Sequence, residues 1–386
     1  MPDTVMSNEI HPPGCGQSSW HGVTLLVLDE PTVGLDPITR KAIIELLYSI
    51  NQEFGTTLVI TTYDIWLAAT LCKRIAVLRE GRVVAHCNAG GIRKLRPGTY
   101  EARLFSPLTR ERKYINAANE PSKKPRDADY VLQATGVNVV FRTGYWSHKS
   151  ASALTNVSIS LAADSALGVI GPSGAGKSTL SMVCAGLLRP NGGQVFHNGT
   201  AVHTKRGRIN KLPHTVQMVF QNPFAALNPR RAIGEWLRSL LRRRSHNGQA
   251  HAHDPKDYLE LVHLPQRILK ALPCHLSGGE CQRACIAGCL SAGACALILD
   301  EPLGMLDPIT QDEIIELLLS LRKDQGLAYF VCTHDLSLIA RLCDDLIVLA
   351  EGTVVESGPT GRVLEHPEHP LTRQLASACL WNKPMA

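Results

Sequence analysis

Residues Gly171–Thr179 (GPSGAGKST) have the types and spacing of a polyphosphate cradle. Gly171, Gly174 and Gly176, interleaved with Pro172, Ser173 and Ala175, let the backbone turn tightly and aim N–H groups inward. Lys177 can reach the β- and γ-phosphates of a nucleotide, and the Ser178 hydroxyl, next to Thr179, can ligate Mg²⁺. The apolar run Ala166–Ile170 precedes this loop and a helical pattern, Leu180–Leu188, follows it. Strand, loop and helix in that order add the positive end of a helix to the same site.

Other groups that can do chemistry fall at the ends of predicted strands. Thr215–Phe220 reads as a strand ending in Gln221, which can touch Mg²⁺ or an attacking water. Leu276–Arg283 (LSGGECQR) opens a helix. Ser277 suits its N-cap, and Gly278 and Gly279 expose backbone N–H groups at the positive terminus, a second anion site. Asp300 and Glu301 end the apolar strand Ala296–Leu299. There one carboxylate can hold Mg²⁺ through water and its neighbour can polarise the attacking water. Asp307 follows in a turn. His334 ends the strand Ala328–Cys332, where an imidazole can hydrogen-bond a γ-phosphate.

The elements that must position these groups occur in part twice. Thr24–Val84 aligns without a gap to Cys295–Val355 at an offset of 271, with 29 of 61 positions identical, which reads as a duplication. Each copy reads as strand, turn, helix, strand, turn, helix and a small hairpin. Short apolar runs (Leu25–Leu28, Leu297–Leu299) suit buried parallel strands, and Ile43, Ile44, Leu46 and Leu47 recur at helical spacing. Residues 131–294 have no counterpart before Thr24, and no loop with Gly and Lys-Ser/Thr stands there. The first copy is thus the C-terminal half of a nucleotide-binding domain and the second a whole one. The expected division is a segment 1–23, a truncated half domain 24–104, a linker 105–129 and a complete domain 130–381. The end of the linker, Asn119–Asp129, is polar, charged and Pro-bearing.

Composition agrees with an ordinary globular chain: 44% hydrophobic and 19% charged residues. Forty basic and 34 acidic residues leave a net charge of +6, too mild to imply nucleic acid. No apolar run is long enough to span a bilayer, and Met1–Trp20 lacks the apolar core of a signal peptide, so the expectation is a cytosolic chain. Cys281, Cys285 and Cys289 lie four apart on one helix face. They read as packed thiols; a metal site is the alternative, though the CxxC pairs of common zinc sites are missing. Basic residues at Arg93, Lys94 and Arg96, and the run Arg238–Arg244, are solvated segments or contacts to phospholipid or nucleic acid.

In this order the motifs resemble those of ATP-binding-cassette (ABC) ATPases, completely over about Val131–Trp381 and partly over Thr24–Val84. The resemblance implies an α/β fold: a P-loop NTPase (RecA-like) core, a β-subdomain and a helical signature subdomain. It implies ATP and Mg²⁺ as ligands. Gly171–Thr179 looks like the Walker A loop, Gln221 the Q-loop glutamine, Ser277–Gly279 the signature and Asp300 the Walker B magnesium ligand. Glu301 looks like the catalytic base, Asp307 the D-loop residue and His334 the switch histidine. In the family two domains dimerise head to tail, each ATP lying between the Walker A loop of one and the signature of the other. Val219–Arg230 (VFQNPFAALNPR) and His366–Ser377 (HPEHPLTRQLAS) are similar to the branch serving peptide, nickel and opine-type metallophore importers. The expected partners are therefore permease subunits in the membrane, a second ATPase chain and a substrate-binding protein, with the chain peripheral on the inner membrane face and no nucleic acid. An adenine-stacking aromatic is expected before the loop, either Phe141 or Tyr145.

Some positions depart from the family pattern. Tyr63 stands where the first copy should have the switch histidine, and Met6-Ser7-Asn8 where it should have the signature. The first copy keeps Asp29, Glu30 and Asp36 without a phosphate loop. In the second copy Gly288 replaces an arginine, Glu280 a glutamine and Asp164 a turn glycine. Gly288 is expected to weaken its helix by about 1 kcal/mol relative to Ala. The leading expectation is an importer ATPase that needs a second chain; a soluble non-transport ATPase and a degenerate, regulatory chain are the alternatives.

Overall fold

The computed structural model describes residues 23–88, 91–92, 95, 98–106, 130–142, 150–203, 215–246, 254–304 and 306–380. Tyr145, Arg93, Lys94, Arg96, Asn119–Asp129 and Met6-Ser7-Asn8 lie outside them.

The first copy comprises β1 (Leu25–Asp29), α1 (Pro37–Phe54), β2 (Thr57–Thr61), α2 (Ile65–Leu71), β3 (Arg74–Arg79), β4 (Arg82–Asn88) and the short α3 (Tyr100–Leu104). β1 and β2 pair in parallel as a two-stranded sheet, and β3 and β4 form a separate antiparallel pair. Asp36 caps α1 by accepting hydrogen bonds from the N–H groups of Ile38 and Thr39, and Gly55 ends it in the left-handed region.

Next come β5 (Tyr130–Arg142), β6 (Ser150–Ala162), β7 (Ala166–Ile170), α4 (Lys177–Cys184), β8 (Gly192–His197) and β9 (Thr200–Ala201). They lead to β10 (Val216–Val219), α5 (Pro223–Ala226), α6 (Ile233–His246), α7 (Pro255–Leu261) and α8 (Gly278–Ser291). The chain closes with β11 (Ala296–Asp300), α9 (Pro308–Gln325), β12 (Ala328–Cys332), α10 (Leu336–Leu342), β13 (Asp345–Ala350), β14 (Thr353–Pro359), α11 (Thr360–Glu365) and α12 (Pro370–Leu380).

A six-stranded sheet of order β10-β11-β12-β7-β13-β14 forms the centre, parallel except for β14. β7, β11 and β12 are buried at every residue, which is why they read as unbroken apolar runs. One core lies between this sheet and the antiparallel sheet β6-β5-β8-β9, around Leu132, Leu154, Val169, Leu180 and Phe330. Another joins its opposite face to the helices, around Leu237, Leu259, Ile286, Leu299 and Leu318. Among the described residues no helix is long and apolar enough to cross a membrane.

Two expectations about helices change. The helix after the phosphate loop starts at Lys177, not Leu180, so its first N–H groups belong to the loop motif itself. A Cβ on Gly288 would lie 2.0–2.7 Å from ring atoms of Trp236 on the neighbouring α6. The glycine therefore makes room for an indole, and alanine there would overpack the contact rather than relieve the helix.

Candidate active site

The central sheet delivers the predicted groups to one edge because four adjacent parallel strands end there. The phosphate loop leaves β7, Asp300 and Glu301 end β11, His334 follows β12 and Gln221 follows β10. The register Val219↔Leu299 runs Gln221 out of the sheet beside the Asp300–Glu301 turn, and its side chain is exposed.

The loop is shaped for close backbone approach. Gly171, Gly174 and Gly176 have φ of 159°, 80° and 101°. The last two are in the region that disfavours side chains, and a Cβ on Gly176 would sit 2.5 Å from the Ala153 carbonyl. Lys177 donates from Nζ to the carbonyls of Gly171 (2.7 Å) and Pro172 (3.0 Å), which ties the ammonium to the mouth of its own loop. Ser178 Oγ donates to Asp300 Oδ1 at 3.2 Å, so two of the three expected magnesium ligands, Gln221 being the third, are already adjacent. Burial and the charge of Glu301 push the Asp300 carboxyl up to about 6, against the Ser178 hydrogen bond and Lys177. A buried carboxylate raised in this way gains from a divalent cation, so the donor set fits Mg²⁺ carried on a phosphate.

Glu301 has a left-handed backbone, φ 47°. Thr333 Oγ1 donates to its Oε2 at 3.0 Å, and His334 Nδ1 lies 2.9 Å from its Oε1. Burial disfavours the charged His334 imidazole, but the hydrogen bond and charge of Glu301, helped by Asp335, raise its pKa overall. The Thr333 contact was not legible in sequence; the Thr-His dipeptide after a strand was its one trace.

Ser277 caps α8 in a capping box: its Oγ accepts from the Glu280 N–H (3.2 Å) and its own N–H donates to Glu280 Oε2 (3.0 Å). Arg267 pairs with Glu280 Oε1 at 2.7 Å. Glu280 thus serves the local cap where the family has glutamine. Ser277 and Gly279 line a cleft of about 1180 Å³ with Leu95, Ala102 and Phe105 of the first copy. None of residues 171–179 lines it, so the signature and the phosphate loop of this domain are separate sites. Asp307 caps α9 through Ile309 and Thr310. Phe141 pairs with Ala151 on the hairpin whose Ala153 abuts Gly176, and is 42% exposed. Cys281 and Cys285 are buried on α8, where the Cys285 thiol donates to the Pro223 carbonyl.

The first copy repeats the carboxylate arrangement. Glu30 has φ 46°, accepts from Thr62 Oγ1 (3.0 Å) and accepts from the Tyr63 N–H (2.9 Å). It also touches the second domain. Asp36 Oδ2 accepts from the Ser173 N–H at 3.2 Å, and the Tyr63 hydroxyl donates to the Gly304 carbonyl at 2.8 Å. Arg103 pairs with Glu313 at 3.6 Å. Sequence reading named Asp36, Tyr63 and Ser173 without foreseeing that the two copies meet through them, and did not single out Gly304, Arg103 or Glu313.

A family model described as ABC transporter matches residues 154–304. The uncharacterized ABC transporter ATP-binding protein YejF of Escherichia coli is 31% identical over 362 residues, covering 91% of this chain and 66% of that protein. The glutathione import ATP-binding protein GsiA of Salmonella typhimurium is 30% identical over 378 residues, covering 92% and 61%. The peptidoglycan transport ATP-binding protein YejF of Agrobacterium fabrum is 30% identical over 364 residues, covering 92% and 64%. The chain therefore spans 61–66% of the length of these relatives. Among solved structures, the dimeric bacterial ABC transporter cassette MJ0796 aligns with a TM-score of 0.52 at 26% identity, covering 59% of this chain and 98% of that one. The cbiO1 protein of Clostridium perfringens, part of the ABC transporter complex cbiONQ, aligns with a TM-score of 0.52 at 26% identity, covering 62% and 92%. The phosphate loop, the carboxylate pair at the sheet edge and these relatives together place the chain in the ABC transporter ATP-binding family.

Proposed function

We propose that the second domain hydrolyses Mg-ATP and drives a separate membrane permease importing small peptides or metal complexes. The observation that carries this reading is the meeting of Lys177, Ser178, Asp300, Glu301 and His334 at the ends of adjacent strands. A magnesium ion bound there would supply charge neutralisation on the phosphates. Lys177 and the loop N–H groups would hold the nucleotide, Ser178 and Asp300 would hold the ion, and Phe141, exposed on the hairpin beside the loop, or Tyr145 would stack on the adenine. Glu301, held by Thr333 and His334, would accept a proton from the attacking water, and the His334 imidazole would be the group to hydrogen-bond a bound γ-phosphate. Gln221, just beyond β10, would touch the ion or the attacking water. The peptide class rests on relatives named for glutathione import and peptidoglycan transport, and on the VFQNPFAALNPR and HPEHPLTRQLAS segments. A permease, a second ATPase and a binding protein are the partners this reading requires, with the chain peripheral on the inner membrane face.

ATP turnover of purified chain tests it. Glu301→Gln should slow hydrolysis by about 10²-fold or more while ATP binding persists, and Lys177→Ala should lose binding. Turnover unchanged in Glu301→Gln would overturn the assignment.

A second reading is favoured by the Asp36–Ser173 and Tyr63–Gly304 contacts. In this reading the first copy, held against the phosphate loop through Asp36 and Ser173, regulates access of the partner domain that the family resemblance implies.

A further inference from the structure

We propose that Cys285 is a positioning residue for Gln221: the helix that opens at Ser277 uses a thiol to hold the turn that carries this side chain. The role given to Gln221 rests on the ATP-binding reading above.

Gln221 lies where the sheet no longer holds the chain. β10 is the last strand of the central sheet and, among the described residues, pairs only with β11. The register ends at Val219↔Leu299, two residues before Gln221. Phe220 is 39% exposed and Gln221 is exposed, so burial fixes neither. The chain then turns into α5, a single turn of four residues. Asn222 caps that turn by accepting from the N–H groups of Phe224 (3.1 Å) and Ala225 (3.3 Å). The cap sets the shape of the turn. It does not attach the turn to the rest of the domain.

The attachment comes from α8. Cys281, Cys285 and Cys289 stand four apart on one buried face of this helix. Cys285 Sγ donates to the Pro223 carbonyl at 3.6 Å, and Cys289 Sγ reaches the Met218 carbonyl at 3.9 Å. These two carbonyls flank Gln221 in the chain. α8 thus grips the segment on both sides of the exposed residue. Cys295 Sγ also donates to this segment, at the Thr215 carbonyl (3.4 Å). The backbone N–H groups of Cys295 and Ala296 reach the same oxygen at 2.8 and 3.0 Å, so that thiol is redundant. The ladder does not extend to Pro223, which leaves Cys285 the contact that matters.

Both gripping thiols are donors at neutral pH. The hydrogen bond with Cys281 and burial raise the Cys285 thiol, and burial pushes Cys289 up to about 12. A thiol is a weak donor, so its loss should displace Gln221 without unfolding the domain. Ser277 and Cys285 are eight residues apart on one helix, about 12 Å at the usual rise. α8 is therefore one body that joins the signature to the turn of Gln221.

Alanine and serine at position 285 both remove the sulfur and leave a side chain of similar size, and only serine can donate. ATP hydrolysis by the full chain is titrated with Mg²⁺ at saturating ATP. Cys285→Ala should raise the half-saturating Mg²⁺ by about threefold or more, as expected for one lost hydrogen bond, and Cys285→Ser should recover part of that shift. In a Gln221→Ala background Cys285→Ala should add nothing. The same shift with and without Gln221, equal shifts for alanine and serine, or no shift at all would overturn the proposal. The side-chain amide resonance of Gln221, assigned by its loss in Gln221→Ala, needs neither nucleotide nor turnover. It should move in Cys285→Ala and return towards the parent position in Cys285→Ser. A resonance unmoved in Cys285→Ala overturns the proposal. A parent that binds no Mg-ATP, with the resonance moving as expected, would sink the ATP reading and leave the placement of Gln221 by Cys285 standing.

Discussion

His334 is pulled in opposite directions. Burial favours its neutral ring, and the Glu301 carboxylate 2.9 Å away favours the charged one and wins. The folded pKa is therefore above the ordinary 6.5. The stability gained from the pair is fully present below 6.5 and is lost as pH rises through the folded value. Glu301→Gln removes the carboxylate and leaves the burial. The ring titration of His334, followed by NMR and identified by its loss in His334→Gln, should move down in Glu301→Gln. The stability difference between parent and variant should shrink as pH rises above 6.5. A titration midpoint unmoved by Glu301→Gln would show that Glu301 does not set the ring's protonation. Tyr63 shows why the first copy cannot imitate this pair. Burial, with the charges of Glu30 and Asp64, pushes its phenol up to about 12, and its hydroxyl is spent on the Gly304 carbonyl.

At the scale of elements, α8 carries both the signature and an unusual glycine. Gly288 faces the Trp236 ring of α6 with no room for a methyl group. Gly288→Ala should therefore destabilise by about 1–3 kcal/mol through overpacking, although alanine is the better helix former. In a Trp236→Ala background the same substitution should be neutral or stabilising, since only the helix preference remains. Denaturant unfolding of the four chains gives the coupling. Additive effects would show that the ring does not occupy this space. The pair also marks where sequence reading stops. Strand ends, caps and loops were legible because each has a local signature: an apolar run for β11, Ser before two glycines for α8, Gly and Lys for the phosphate loop. The residue that a glycine makes room for lies 52 positions away, and nothing local points to it. The same holds for Thr333 on Glu301, 32 positions apart, and for Asp36 on Ser173, 137 apart. The duplication was the exception. It carried long-range information because the contacts of one copy can be compared, position by position, with those of the other.

At the scale of the molecule, the half domain changes what the single phosphate loop can meet. From the sequence, one loop and one signature in the same domain imply that a second chain must supply the opposing signature. In the structure the face beside Ser173 is held by Asp36, and α1 packs on α12. The complete domain has its own cores, centred on Phe330 and on Leu318, and the buried cluster of the half domain around Val77 and Phe105 is separate from both. Removing residues 1–129 should therefore leave the complete domain folded and its phosphate-loop face open. With Glu301→Gln to hold ATP, the shortened chain should dimerise on adding Mg-ATP, and the full-length variant should stay monomeric at the same concentration. Sedimentation velocity separates the two. Tyr63→Phe removes one contact, worth about 0.5–1.5 kcal/mol, and should shift the full-length chain only part of the way. Equal dimerisation of the full and shortened chains would mean that the half domain yields this face to a partner, and its hold on Ser173 would not regulate the ATP site.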